Sequence, residues 1–312
     1  MNDYENRASD EKYKDRGLII YLAIVFVSTY IYEYFAVIRV VFSQTDNYNI
    51  ANIPLRLSVA MFIPAAGALA ARLITGEGFS EHRLSVNLKD RKYVFYLLAW
   101  FAPSVLTVIG CLIYFIVFRE DFSVNMEYII GVYESRGVSG ITPQAMRMQA
   151  LSQGITAIIL GPIVNCITCF GEEWGWRGYL VWKLKDKLKP VPLMLVTGVI
   201  WGLWHLPLTV AGHNYNYDYP GYPYTGVLAM IVFCISLGTL LSYVTLKTGS
   251  CIPAIIGHGA INSFSAIGVY FTNNGGHSLF GPSPAGLIAG LPFLIMAVIL
   301  MWLMVKDDQK EK

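Results

Sequence analysis

The stretch Gly171-Glu172-Glu173-Trp174-Gly175-Trp176-Arg177-Gly178 sets two carboxylates and a guanidinium inside one of the most apolar regions of the chain. On a helix Glu173 and Arg177 are i and i+4 with the acid N-terminal to the base, the favourable orientation for an intrahelical ion pair. Glu172 projects about 100° away from Glu173. Arg177 can therefore neutralise one carboxylate and leave the other without a local partner. An ionisable group inside a membrane segment is by default a functional hypothesis, and the spare carboxylate is a candidate general base.

A membrane segment is what the surrounding sequence describes. Of 312 residues 55% are hydrophobic and only 14% charged, where a water-soluble domain carries about a quarter charged residues. Eight apolar runs approach the length needed to cross a bilayer: about Gly17 to Phe42, then 55 to 75, 93 to 118, 152 to 172, 192 to 211, 226 to 246, 252 to 271 and 284 to 305. The first is too long for a signal-peptide core. Glu33 and Arg39 within it imply that its C-terminal part is interfacial or faces the bundle. The fold expected is an all-α polytopic membrane helix bundle of about eight transmembrane helices. It divides into a polar N-terminal tail at 1–16, one transmembrane domain at 17–306 with its chemistry at about 155–270, and a polar C-terminal tail at 307–312. Assigning helix ends alternately puts eighteen of the 23 Lys and Arg residues on one side, so both termini are expected in the cytoplasm of a multi-pass cell-membrane protein.

The loops near 43 to 54, 212 to 225 and 272 to 283 hold no Lys or Arg and are expected outside. The turn-rich, tyrosine-rich stretch 213–224 reads as an aromatic belt at the outer interface, and 118–149 as a partly structured outer loop. No basic tract with interleaved aromatics suggests a nucleic-acid partner. The five cysteines lie in or beside apolar runs, so Cys166-x-x-Cys169 reads as packed thiols rather than a redox pair.

Two histidines also fall inside spans. His205 lies in Trp201-Gly202-Leu203-Trp204-His205-Leu206-Pro207, where Pro207 is expected to kink or stop the helix. His258 shares a helix face with Asn262 at i+4; Gly257 and Gly259 beside it would let another helix or an extended substrate approach. Pro253 suits that helix's first turn. No His-Glu-x-x-His is present and no aspartate lies within an expected span, while Gly137-Val138-Ser139-Gly140 reads as a loop turn. What remains is Glu172 as base, two imidazoles and a carboxamide, a set able to activate water and stabilise an oxyanion. His205 lies about fourteen residues into its run, roughly 20 Å. For Glu172 to match that depth, its helix should begin near 160 and extend past Arg177.

At these residues the chain resembles the CAAX prenyl protease and bacteriocin-processing family of intramembrane endopeptidases, which includes the type II CAAX prenyl endopeptidases. Family members carry Glu-Glu-x-x-x-Arg, Phe-x-x-x-His and His-x-x-x-Asn or His-x-x-x-Asp in order. Here Glu172 to Arg177 and His258 to Asn262 are complete, and Trp201 replaces the Phe four residues before His205. The resemblance covers about residues 155 to 270. It implies that Glu172 and His205 activate the attacking water, that His258 and Asn262 hold the oxyanion, and that Glu173 and Arg177 support them.

The implied activity is hydrolysis of a peptide bond near the cytoplasmic face, in a membrane-associated protein or peptide, of the CAAX or bacteriocin and immunity type. No cofactor is expected, because Asn262 is a poor zinc ligand and a good oxyanion donor. A zinc-dependent form would use Glu172, His205 and His258 as ligands. The rival from another class is a non-catalytic transporter or immunity factor that keeps the polar cluster for binding. The partners implied are the bilayer, the substrate polypeptide and an accessory membrane protein that delivers it.

Overall fold

The computed structural model describes residues 2–43 and 52–310, so part of the loop expected near 43 to 54 and the ends of both tails lie outside the described residues. All regular structure among these residues is helical; extended pairing is confined to isolated bridges between Phe122 and Thr272 and between His277 and Gly281. The helices in chain order are α1 (Asn2–Glu33), α2 (Ile53–Ala60), α3 (Ile63–Thr75), α4 (Tyr93–Val117), α5 (Glu127–Ser135), α6 (Pro143–Ile159), α7 (Cys166–Gly175), α8 (Pro190–Trp204), α9 (Leu206–Val210), α10 (Tyr224–Thr248), α11 (Ile252–Phe264) and α12 (Leu291–Lys310). Short helical turns extend three of them: α1 runs through a π-turn, Tyr34–Ile38, into Arg39–Ser43, α6 is followed by Gly161–Val164, and α7 runs through a second π-turn, Trp176–Leu180, into Val181–Leu184.

Five segments are long and apolar enough to cross a membrane: Arg16–Val41, Ile53–Thr75, Tyr93–Val117, Tyr224–Thr248 and Ile252–Phe271. The other three apolar runs are helical but interrupted or shorter. The run at 152–172 is cut at Leu160 and Asn165, the run at 192–211 breaks at His205, and α12 ends in Lys306, Asp307, Asp308 and Lys310. The connection at 118–149, read as a partly structured loop, contains α5 and the first turns of α6. Thr142 caps α6 by accepting the Ala145 N–H, and Pro143 occupies its first turn.

The bundle's surface is as apolar as its core. Ile19, Val27, Ile31, Leu73, Ile116, Val164 and Ile167 are all exposed, which is how a surface solvated by lipid is built. Helix α1 shows the two faces: Tyr21, Val25, Thr29 and Glu33, four residues apart, are fully buried against the bundle while Ile19, Val27 and Ile31 face outward. The tyrosine stretch is a surface belt only in part, with Tyr217, Tyr222 and Tyr224 exposed. Tyr215 is buried and donates to the Ala285 carbonyl at 2.8 Å, and Tyr219 is buried beside it.

The two ends of the bundle differ. At the Lys- and Arg-rich end the segment after α3 folds back across the helix ends as a strap. Trp174 donates to the His82 carbonyl at 2.9 Å, Cys251 N–H to the Arg83 carbonyl at 2.8 Å, Asn87 to the Thr248 carbonyl at 3.2 Å, and Lys183 pairs with Glu77 at 2.6 Å. At the opposite end 211–223 and 272–290 cross above the helices, tied down by Tyr114 through its hydroxyl, which bonds Asp121 and receives the His277 N–H.

Small residues set the helix spacing that positions the site. A Cβ on Gly171 would lie 2.5 Å from the Met61 carbonyl oxygen, and one on Gly175 would lie 2.6 Å from the Pro64 carbonyl carbon. The α7 backbone therefore rests directly on the α2–α3 junction. Gly198 and Gly202 of α8 approach Ile235 and Ile231 of α10 in the same way. Gly175→Val should lower the thermal unfolding midpoint in detergent by an amount matching about 1–3 kcal/mol of overpacking. Gly131→Val, where a Cβ meets nothing within 4 Å, should leave the midpoint unchanged.

Candidate active site

The helix that carries Glu172 begins at Cys166 and continues through Leu184. Twelve residues, about 18 Å, then separate Glu172 from the helix end, and about 22 Å separates His205 from the start of α8 at Pro190. The longer helix removes the difference in depth between the two groups, although it starts after the break at Asn165 rather than near 160.

Glu173 is the hub. It is fully buried, and its Oε1 accepts both the Arg177 guanidinium at 2.9 Å and His258 Nδ1 at 2.8 Å. The i,i+4 ion pair legible in the sequence is thus present and extends across to α11. Arg177 also lies over the Trp201 ring, 4.2 Å from its centroid, a cation–π contact that matters more away from water. Glu172 is 3% exposed and takes the Trp201 indole N–H at 2.9 Å. Among the described residues it makes no ion pair at salt-bridge distance.

Pro207 explains the geometry around His205. Proline has no N–H, so the Leu203 carbonyl loses its helical partner, and Tyr30 of α1 replaces it, donating at 2.7 Å. The His205 amide bonds the Gly202 carbonyl, and the Trp201 carbonyl receives the ring Nδ1 at 2.9 Å. A carbonyl only accepts, so Nδ1 carries the proton and Nε2 is left as an acceptor. The helix stops at Trp204 and resumes at Leu206, as the proline predicts.

Glu172, His205, His258 and Asn262 all line one cavity of about 180 Å3. Trp201 and Trp204 form one wall, with Trp201 edge-on to both imidazoles. Asn262 is held by a contact of its amide with Cys169 Sγ at 3.6 Å. Gly257 and Gly259 admit neighbouring chain, against Leu241 and the Pro162 carbonyl respectively. All five cysteines are free. No three His, Cys, Asp or Glu side chains among the described residues are grouped to hold a metal ion.

Three features of the site were missed or underread in the sequence. His213, read as a loop residue, lines the cavity with Asn214. Trp201, read only as a departure from Phe, supplies the hydrogen bond to Glu172. Glu33 faces the bundle, fully buried, with neither carboxyl oxygen bonded to protein and in electrostatic contact with Glu172. A carboxylate at the end of an apolar run was visible; its depth and its neighbour were not.

Residues 154–264 match the family model of the type II CAAX prenyl endopeptidases, Rce1-like, and all three motifs fall inside that segment. The chain is 32% identical over 92 residues to CAAX prenyl protease 2 of Methanococcus maripaludis, covering 29% of this chain and 34% of that protein. It is 25% identical over 163 residues to Lysostaphin resistance protein A of Staphylococcus haemolyticus, covering 51% of this chain and 40% of the relative. The matches thus span about a third to two fifths of the length of these curated relatives. The family resemblance read from the motifs is borne out.

Two substitutions should move stability in opposite directions. Arg177→Met strands Glu173 and should cost about 3–5 kcal/mol. Glu33→Met removes an unbonded carboxyl and should stabilise by about 1–3 kcal/mol. Thermal unfolding in one detergent checks both, and a Glu33→Met protein less stable than the parent would refute the burial argument.

Proposed function

We propose that this chain, similar to the Rce1-like family over residues 154–264, is an intramembrane endopeptidase that hydrolyses a peptide bond in a membrane-associated polypeptide. The observation that carries the reading is the convergence of a carboxylate, two imidazoles and a carboxamide from three helices on one cavity. The relatives' printed names, a CAAX prenyl protease and a lysostaphin resistance protein, support processing of the CAAX or immunity type.

Glu172, with no ion-pair partner, is the general base that takes a proton from water, and His205 Nε2 orients that water as an acceptor. Attack on the scissile carbonyl develops charge on its oxygen. Asn262 Nδ2 and His258 Nε2 supply the donors for it. With Nδ1–H committed to Glu173, His258 donates from Nε2 only when the ring carries both protons. Glu173 stabilises that imidazolium, while Arg177 prevents the carboxylate from carrying a net negative charge into the site. Glu172, Glu173, Arg177 and His258 then sum to zero charge, which suits a buried cluster. Glu172, once protonated, returns the proton to the departing amine.

The metal-free form is the one the donor set favours. The side chain completing the group is a carboxamide, a poor zinc ligand and a good oxyanion donor, while the Nδ1 contacts of both imidazoles leave Nε2 available to either form. In the zinc-dependent alternative Glu172, His205 and His258 would hold the metal, which would polarise the scissile carbonyl.

Glu172→Gln should lower cleavage of a membrane-protein substrate by about 10²–10⁴-fold, and Asn262→Ala by about 10²–10³-fold, each with an unfolding midpoint near the parent's. Full biological protection by both variants would favour the binding reading over the protease. Cleavage should also survive exhaustive chelation and dialysis; activity lost on chelation and restored by zinc would select the metal-dependent form.

A further inference from the structure

The cavity that holds the four polar groups is not symmetrical about the membrane. At the Lys- and Arg-rich end a separate cavity of about 610 Å3 shares no wall residue with it. Beneath Glu172 lie the bonded trio Glu173, Arg177 and His258, then buried Trp176, Tyr179 and Leu180. The strap after α3 covers the helix ends below that, bonded to Trp174, Thr248, Ser250 and Cys251. Toward the other end the walls come from the crossing loops: His213, Asn214, Ser283, Pro284 and Ala285 all line the cavity.

Asn214 and Ser283 also line a second, larger cavity of about 550 Å3. Its remaining walls are mostly polar, including Asn216, Asp218, Asn274, His277 and Ser278 beside Tyr128, Val269 and Pro282, with Gly275, Gly276 and Gly281 also on the lining. No Lys or Arg lines it, and Asp218 is its only carboxylate among the described residues. A phosphate or an anionic lipid headgroup would meet no cation there. Carboxamides, hydroxyls and bare glycine backbone instead match the alternating N–H and C=O groups of an extended polypeptide.

We propose that this polar cavity is the entry vestibule of the active site, and that a polypeptide segment exposed on the face opposite the Lys- and Arg-rich end reaches Glu172 through it. The inference rests on the endopeptidase reading for its occupant, but the access path stands on geometry alone. By the distribution of Lys and Arg the strapped end faces the cytoplasm, so the vestibule opens outward. Catalysis then acts on outward-facing chain, in place of the cytoplasmic-face cleavage that the family resemblance implies. Water for hydrolysis enters by the same route, whose walls are shared with the inner cavity at Asn214 and Ser283.

Two cysteine variants in the full chain separate access from chemistry. Asn216→Cys sits in the vestibule and Ser265→Cys in the inner cavity. A small membrane-impermeant cationic methanethiosulfonate, applied to intact cells and measured above the wild-type background, should modify both. Modification of Ser265→Cys only in inside-out vesicles, or in neither preparation, overturns the proposal. So does modification of Asn216→Cys from the cytoplasmic side. A reporter peptide tethered to the outer face should be cut by the parent protein and not by Glu172→Gln, and the same peptide tethered to the cytoplasmic face should remain intact. Preferential cutting of the cytoplasmic reporter also refutes outward access. Outward modification of both cysteines with neither reporter cut would count against the endopeptidase reading and leave the path itself established.

Discussion

One carboxylate oxygen holds the site together. Glu173 Oε1 accepts from Arg177 on its own helix and from His258 on α11, joining two helices through charge-assisted bonds in a region without water to compete. Burial of an unpaired carboxylate or guanidinium costs several kcal/mol, so α7 and α11 are bound to keep their register. Glycine contacts then fix α7 against the α2–α3 junction, and Trp201 ties α8 to α7 by lying under Arg177 and donating to Glu172, and to α11 through its edge-on contact with His258. The structure places Glu172 at the centre of this frame without giving it an ion pair. Glu173 has a guanidinium on one side and an imidazole on the other; Glu172 has an indole.

How much of this the sequence carried depends on whether the determinant was local. The Glu173–Arg177 pair, the Pro207 break and the shared face of His258 and Asn262 are set by spacing along one helix, and all are present. The helical character of all eight apolar runs followed from composition. What escaped were features fixed by partners distant in the chain. Gly161-Pro162 marks the cut at Leu160, where proline leaves the Ile158 carbonyl to Trp100 of α4 at 2.8 Å, but nothing local marks the one at Asn165, which bonds Ser263 of α11, 98 residues away. Nothing near His213 says that its loop folds inward, because Tyr215 is held by Ala285 in another loop. Charge left Glu33 either interfacial or facing the bundle, and which of these holds, with its electrostatic coupling to Glu172, depends on α1 packing beside α9.

Lipid explains why so many irregular elements gather in one place. A break in a helix exposes carbonyls that hydrocarbon cannot satisfy, so non-helical backbone is tolerated only where protein or a water-filled cavity receives it. The π-turn Trp176–Leu180 begins beside Arg177, the α8 break is at His205, and α11 ends just after Asn262 with Ser265 on the cavity wall. These three interruptions fall at or beside residues of the site.

The break at His205 shows how such a defect becomes a chemical asset. Proline at 207 leaves the Leu203 carbonyl unpaired, and the amide of His205 turns to Gly202, freeing the Trp201 carbonyl as well. A tyrosine from α1 answers the first and the imidazole itself answers the second. In repairing the ladder the ring is fixed in orientation, and its proton is assigned to Nδ1 by a partner that can only accept. The lone pair on Nε2 is then set toward the cavity by the same bond that stabilises the helix end. A glutamine or asparagine at 205 could satisfy the carbonyl, but neither presents a basic nitrogen on the far side of a rigid ring. The backbone defect needs only a donor; the residue that serves as that donor decides whether the cavity gains a base.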